Sequence, residues 1–226
     1  MTTPNSNVTH LDALLVLEDG RAFRGRGIGA PGPAFGEVVF NTSMTGYQEI
    51  ATDPSYRGQL VALTSSQIGN YGVTPLDSQT PERDRAQLAG FVLRQLAPAA
   101  SNYRAAGDLD RWLERQGICA IDELDTRALT RHLRSVGAKR GGIFRFAHEA
   151  ALPDPGSAEL QELVDKVLAT PSMEGRDLAS EAGCQERYTL PAEGERRHRV
   201  ALVDFGVKRG ILRGLVERGI EVDVFP

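Results

Sequence analysis

The chain is short of cysteine, of long apolar runs and of clustered positive charge, and each shortage excludes a class of protein. Only Cys119 and Cys184 occur among its 226 residues. They lie far apart and without C-x-x-C spacing, so neither a disulfide framework nor a zinc knuckle is expected, and a reducing cytoplasm fits best. No run approaches the roughly 18 apolar residues of a membrane span. Residues 1–10 form a polar tail without a basic head and apolar stretch, so no secretion signal is expected there. Lys and Arg number 26 against 30 Asp and Glu, a net charge of −4, and are scattered among the acidic residues. Such a balance gives no field for a nucleic-acid backbone. The four histidines, His10, His132, His148 and His198, show neither i,i+4 nor HExxH spacing, so no metal site is expected.

What remains is ordinary globular composition, 41% hydrophobic and 25% charged, enough for one large domain or two smaller ones. From Leu11 the pattern is of short strands and tight turns. Leu11 to Leu17 runs into Glu18-Asp19-Gly20, and Val38-Val39-Phe40 leaves a Gly/Pro-rich loop. Further strands are expected at 60–63, 88–93 and 141–146, with a polar loop over about 70–85. Asp108 and Gly117 bracket one helix, and Asp125 and Gly137 another. In the second, Leu129, Leu133 and Val136 are placed on the inner face, while Arg127, Arg131 and Arg134 present a basic surface. That surface reads equally as a solvated face or a partner contact. Ala158 to Leu168 reads as a helix with Leu160, Leu163, Val164 and Val167 inward. Residues 172–197, rich in Glu, Arg, Gly and Ser, read as a connector.

Residues 198–226 change style. An apolar strand (Arg199-Val200-Ala201-Leu202-Val203-Asp204-Phe205), a turn at Gly206, an amphipathic helix over Lys208 to Arg218 and a strand over 220–225 form the opening βαβ unit of a parallel sheet buried on both faces. Two strands and one helix cannot cover that much apolar surface, so more of a doubly wound domain is expected beyond Pro226. Phe205-Gly206-Val207-Lys208-Arg209-Gly210 carries neither a G-x-G-x-x-G nor a P-loop spacing, so Gly206 is read as a turn and a nicotinamide-type dehydrogenase is disfavoured.

The most distinctive stretch is Gly36-Glu37-Val38-Val39-Phe40-Asn41-Thr42-Ser43-Met44-Thr45-Gly46-Tyr47-Gln48-Glu49-Ile50, followed by Thr52-Asp53-Pro54-Ser55-Tyr56. Read physically, it is a polar loop cluster at strand ends. It closely resembles the signature of the small-subunit family of carbamoyl-phosphate synthase. Ile68-Gly69-Asn70-Tyr71-Gly72, Asp125-Thr126-Arg127-Ala128-Leu129-Thr130-Arg131 and Val203-Asp204-Phe205-Gly206-Val207-Lys208-Arg209 resemble later landmarks in the same order. Two local departures stand out. Thr64-Ser65-Ser66-Gln67 replaces the usual Tyr-Pro pair, and Gly210 stands where Asn is common.

The resemblance implies an α/β protein in two parts. The first is a β-rich α+β domain of swivelling β/β/α type, residues 11–152, that docks on a large synthetase subunit. A helix and polar connector, 153–197, lead to the incomplete start of a class I glutamine amidotransferase domain, 198–226. It implies that glutamine is hydrolysed on the small subunit and ammonia is passed to the large one. The large subunit uses ATP, Mg and bicarbonate to make carbamoyl phosphate for arginine and pyrimidine biosynthesis. No cofactor is expected on this chain itself. Glutamine hydrolysis needs a thiolate nucleophile, a His and a carboxylate, which the family places in a G-x-C-x-G elbow and a His-x-Glu pair. Neither occurs here, so the chain alone is expected to be inactive. Cys119, in an apolar run, is expected to be buried and inert, and Cys184 to be exposed or half-exposed. The resemblance assigns one site residue: Ser55 matches the serine that reaches across the domain boundary to help hold glutamine, a task a hydroxyl suits as donor and acceptor. A non-catalytic docking module for the large subunit is the alternative reading.

Overall fold

The computed structural model describes residues 11–80, 85–148 and 151–226. Seven strands, β1 (Leu11–Leu17), β2 (Ala22–Gly29), β3 (Ala34–Asn41), β4 (Gln59–Leu63), β5 (Gly90–Leu93), β6 (Cys119–Asp122) and β7 (Lys139–Phe146), close into a barrel. Their order is β1-β2-β6-β5-β4-β3-β7, with β7 returning to β1. The run β3-β4-β5-β6 is parallel and the other pairings are antiparallel. Closure removes sheet edges.

Side-chain alternation explains why these strands read as unbroken apolar runs. Leu15, Leu17, Leu60, Ala62, Val92, Ile121 and Ile143 share one core with strand neighbours from around the barrel. Helix α3 (Thr126–Val136) closes that core with Leu129 and Leu133. The intervening residues point outward and are covered as well. Val61, Leu63, Phe91 and Leu93 pack under α1 (Tyr47–Thr52) and α2 (Leu109–Arg115) through Ile50, Trp112 and Leu113. Leu14, Val16 and Phe144 pack under α4 (Ala158–Leu168) through Leu160, Leu163, Val164 and Val167. Sheet residues covered on both faces lose the polar alternation of a half-solvated strand.

The caps fall where the sequence places them. Asp108 accepts from the Arg111 N–H at 2.9 Å and Asp125 from the Ala128 N–H at 3.0 Å, while Gly137 ends α3 at φ +86°. Val136 departs from the expected inner face and is 44% exposed, because it sits in the last turn, past the rim of the core that Leu129 and Leu133 fill.

The stretch read as connector carries α5 (Leu178–Ala182) and β8 (Tyr188–Leu190). Strand β8 pairs antiparallel with β10 (Ile220–Phe225), which pairs parallel with β9 (His198–Val203). Helix α6 (Arg209–Val216) covers one face of this sheet through Leu212, against Val222 and Val224. Within the described residues only one face of this sheet is covered by a helix. On β10 the residues between the valines are acidic, and Asp223 takes Arg199 at 2.7 Å, Arg187 at 3.1 Å and the Thr189 hydroxyl at 2.6 Å. These donors hold its carboxyl well below the usual range. On β9, Val200 and Leu202 pack with the α6 cluster while Val203, on the alternate face, is 54% exposed, and Phe205, just past the strand, is 75% exposed. Among the described residues no helix is long and apolar enough to cross a membrane.

Candidate functional site

Three of the four distinctive stretches meet at one end of the barrel. Helix α1 begins at Gly46, whose φ of +86° lies in the left-handed region that glycine tolerates, and no side chain of its own caps it. The cap comes from Tyr71 instead. Its hydroxyl accepts the Gly46 N–H at 2.7 Å and the Tyr47 N–H at 3.3 Å. Tyr47 reciprocates by donating its hydroxyl to the Gly72 carbonyl at 2.5 Å, and the two rings stack with centroids 4.2 Å apart. Burial pushes both tyrosine hydroxyls toward the neutral form. The Thr74 N–H donates to Gln48 Oε1 and the Gln79 N–H to Thr52 Oγ1, each at 2.8 Å. The 71–79 loop is thereby fastened along α1.

After α1 the chain turns through a single 3-10 turn, Pro54–Tyr56, before entering β4. Asp53 caps it, accepting the Ser55 N–H on Oδ1 at 2.9 Å. Pro54 fixes φ where a donor is not needed. Ser55 itself is exposed, and no hydrogen bond among the described residues engages its hydroxyl. It is held by its backbone, with its side chain open to solvent.

The C-terminal unit reaches this same turn. Lys208 Nζ lies 2.6 Å from Asp53 Oδ2, with the Asp53 side chain only 11% exposed. Gly206 has φ +100°, and a Cβ there would meet Pro54 Cβ at 3.0 Å, so a larger residue would push the two segments apart. The turn bearing Gly206 is shaped by buried Asp204. Its Oδ1 accepts from the Gly206 and Val207 N–H groups at 2.8 and 2.7 Å, and its Oδ2 from the Cys184 N–H at 2.9 Å. Arg209 donates its N–H to the Gln79 carbonyl at 2.8 Å. Arg57 spans to Glu181 at 3.3 Å. Between the barrel and the C-terminal unit lies a cleft of about 210 Å³ lined by Arg57, Arg85, Gln87, Cys184 and Asp204.

Ser55 thus stands at the junction of the two folded parts. Sequence reasoning missed the brackets around it: the opposite charges of Asp53 and Lys208, 155 positions apart, gave no local pattern. The two cysteines differ in setting. Cys119 is buried inside the barrel and burial pushes its thiol up to about 11, far from a thiolate at neutral pH. Cys184 is half-buried. Among the described residues no group of three His, Cys, Asp or Glu side chains is disposed to hold a metal ion.

Residues 15–143 match the family model described as carbamoyl-phosphate synthase small chain, CPSase domain. Curated proteins named carbamoyl phosphate synthase small chain align along nearly all of the sequence. The one from Streptomyces avermitilis is 47% identical over 226 residues, covering 100% of this chain and 57% of the relative. The one from Pectobacterium atrosepticum is 48% identical, covering 95% and 56%. The one from Thermosynechococcus vestitus is 47% identical, with the same coverage. The chain spans little more than half the length of these relatives. The match takes in the barrel and the Tyr47–Tyr71 and Asp53–Ser55 segments that build the site, and the chain belongs to the carbamoyl-phosphate synthase small-chain family.

Proposed function

We propose that this chain is the N-terminal part of a glutamine-handling small subunit of carbamoyl-phosphate synthase, with Ser55 contributing to the glutamine site. The exposed, backbone-anchored hydroxyl of Ser55 at the junction with the C-terminal unit carries the reading. A serine in that place can donate to a substrate carboxylate or accept from its ammonium without giving up a bond of its own.

In this reading the barrel is the swivelling-type domain (11–152), followed by the helix and connector region (153–197). The β9-α6-β10 unit (198–226) opens a class I glutamine amidotransferase domain. The thiolate, His and carboxylate that hydrolyse glutamine belong to the part of the relatives that this chain does not span. Ammonia passes to a large subunit, which carries ATP and Mg and forms carbamoyl phosphate in the cytoplasm for arginine and pyrimidine biosynthesis. The chain's own residues bind and position substrate.

The test is to mix the 226-residue chain with a carbamoyl-phosphate synthase large subunit. Co-purification without glutamine hydrolysis is expected, while synthesis from free ammonia continues. Glutamine hydrolysis by the mixture would make Cys119 or Cys184 a nucleophile and overturn the division of labour. Failure to associate would overturn the subunit reading.

A further inference from the structure

The outer face of α3 carries a charge pattern that the other described residues leave unanswered. Arg127, Arg131 and Arg134 recur at i, i+4 and i+7, which aligns them in one stripe about 10 Å long. All three are exposed. Among the described residues none of them makes an ion pair or a side-chain hydrogen bond, whereas Arg26 pairs with Asp122, Arg140 with Glu18, Arg57 with Glu181 and Arg199 with Asp223. The helix is not free to turn this stripe away. Leu129 and Leu133 lock its inner face into the barrel core, and on its flank His132 Nε2 lies 2.7 Å from Asp19 Oδ2 and His132 Nδ1 3.1 Å from Arg21 Nη1.

Like charges four apart on a helix cost a few tenths of a kcal/mol, and among the described residues none of the three is ion-paired to a carboxylate. We infer that the Arg127-Arg131-Arg134 stripe is a docking surface whose complement is a row of carboxylates on a partner protein, the large subunit of the preceding proposal, on which this inference rests. Chemistry favours carboxylates on protein over a phosphate backbone. The stripe is only three cations long, in a chain that is acidic overall at −4 and with Asp125 and Glu123 exposed beside it, which suits local pairing with a few carboxylates and lacks the extended basic field that a phosphate backbone requires. All three cations are arginines, whose planar fork pairs with carboxylates in a bidentate way and which are enriched at protein interfaces. The stripe lies on the barrel, on an element that does not take part in the Asp53–Lys208 junction.

The experiment measures binding of the chain to the large subunit, at low and at physiological salt, for the wild type, the triple reversal R127E/R131E/R134E and the triple R127K/R131K/R134K. Unchanged melting of the variants checks that α3 stays folded. The reversal is expected to raise Kd at least tenfold at about 0.1 M salt, chiefly through slower association, and to flatten the salt dependence. The lysine variant is expected to keep part of the affinity. Equal affinity of wild type and reversal would overturn the docking surface while leaving the subunit reading intact. Absence of any wild-type binding would overturn both. Loss of wild-type retention on duplex DNA in the reversal, with large-subunit affinity unchanged, would reassign the stripe to nucleic acid.

Discussion

Lys208 Nζ sits 2.6 Å from Asp53 Oδ2, while Oδ1 of the same carboxylate holds the Ser55 N–H at 2.9 Å. One side chain therefore both caps the turn that presents Ser55 and anchors the C-terminal unit to the barrel. Lys208→Met removes the anchor and leaves the cap. With Lys208 44% exposed, the pair contributes about 1 kcal/mol or less. In a full-length small subunit bearing this region, the variant should raise the KM for glutamine several-fold with little loss of thermal stability. An unchanged KM would show that the anchor does not set the position of Ser55.

The reciprocal tyrosines are a stability element. Tyr71→Phe leaves the Gly46 and Tyr47 N–H groups without their acceptor and should cost about 1–2 kcal/mol. Tyr47→Phe deletes the bond to Gly72 and should cost about 1 kcal/mol. Because both hydroxyls fasten the same pair of segments, 46–47 and 71–72, the double variant should cost less than the sum by denaturant melts. Strict additivity would mean that the two residues act independently.

Asp204 answers for three backbone N–H groups from a buried position. Asp204→Ala should cost about 3 kcal/mol locally. Hydrogen exchange should then speed up over 183–190 and 204–209, with the barrel strands unaffected. Uniform acceleration across the chain would show instead that the two parts unfold as one.

Cys119 gives a pH signature. Its folded thiol is pushed up to about 11 from an ordinary value of 9.0. The folded state thus binds this proton more tightly than the unfolded one. The group's contribution to stability is whole below about pH 9 and is lost as pH rises toward about 11. At pH 8 an alkylating reagent should modify Cys184 and spare Cys119 until the protein is denatured. Rapid native modification of Cys119 would contradict its placement inside the barrel.

The caps, the strands and the helix faces were legible because each is a local signal. Asp108 and Asp125 announce helix starts, and the runs around Leu15, Val61 and Phe91 announce strands, though not that both their faces are covered. Other features were hidden for identifiable reasons. Strand β2 carries three glycines, Gly25, Gly27 and Gly29, and is not among the expected strands, yet close packing against neighbours favours them. A Cβ on Gly25 would clash with the Asp122 carbonyl. Strand β8 is three residues long and is fastened partly by a polar contact, Thr189 to Asp223, so hydrophobicity does not mark it. Strand β10 alternates Val222-Asp223-Val224 and is one-sided. Barrel closure joins β1 to β7 across the whole domain, a pairing no window of sequence contains. Ser55 was found by resemblance; its setting, between Asp53 and Lys208, required the fold.

The most direct test of the account is glutamine-dependent synthesis by a full-length small subunit carrying Ser55→Ala, assembled with its large subunit. A substrate-anchoring hydroxyl contributes mainly uniform binding, so the account predicts a KM for glutamine about 5- to 10-fold higher, kcat changed much less, and ammonia-dependent synthesis unaltered. An unchanged KM for glutamine would contradict it and return Ser55 to an ordinary turn serine.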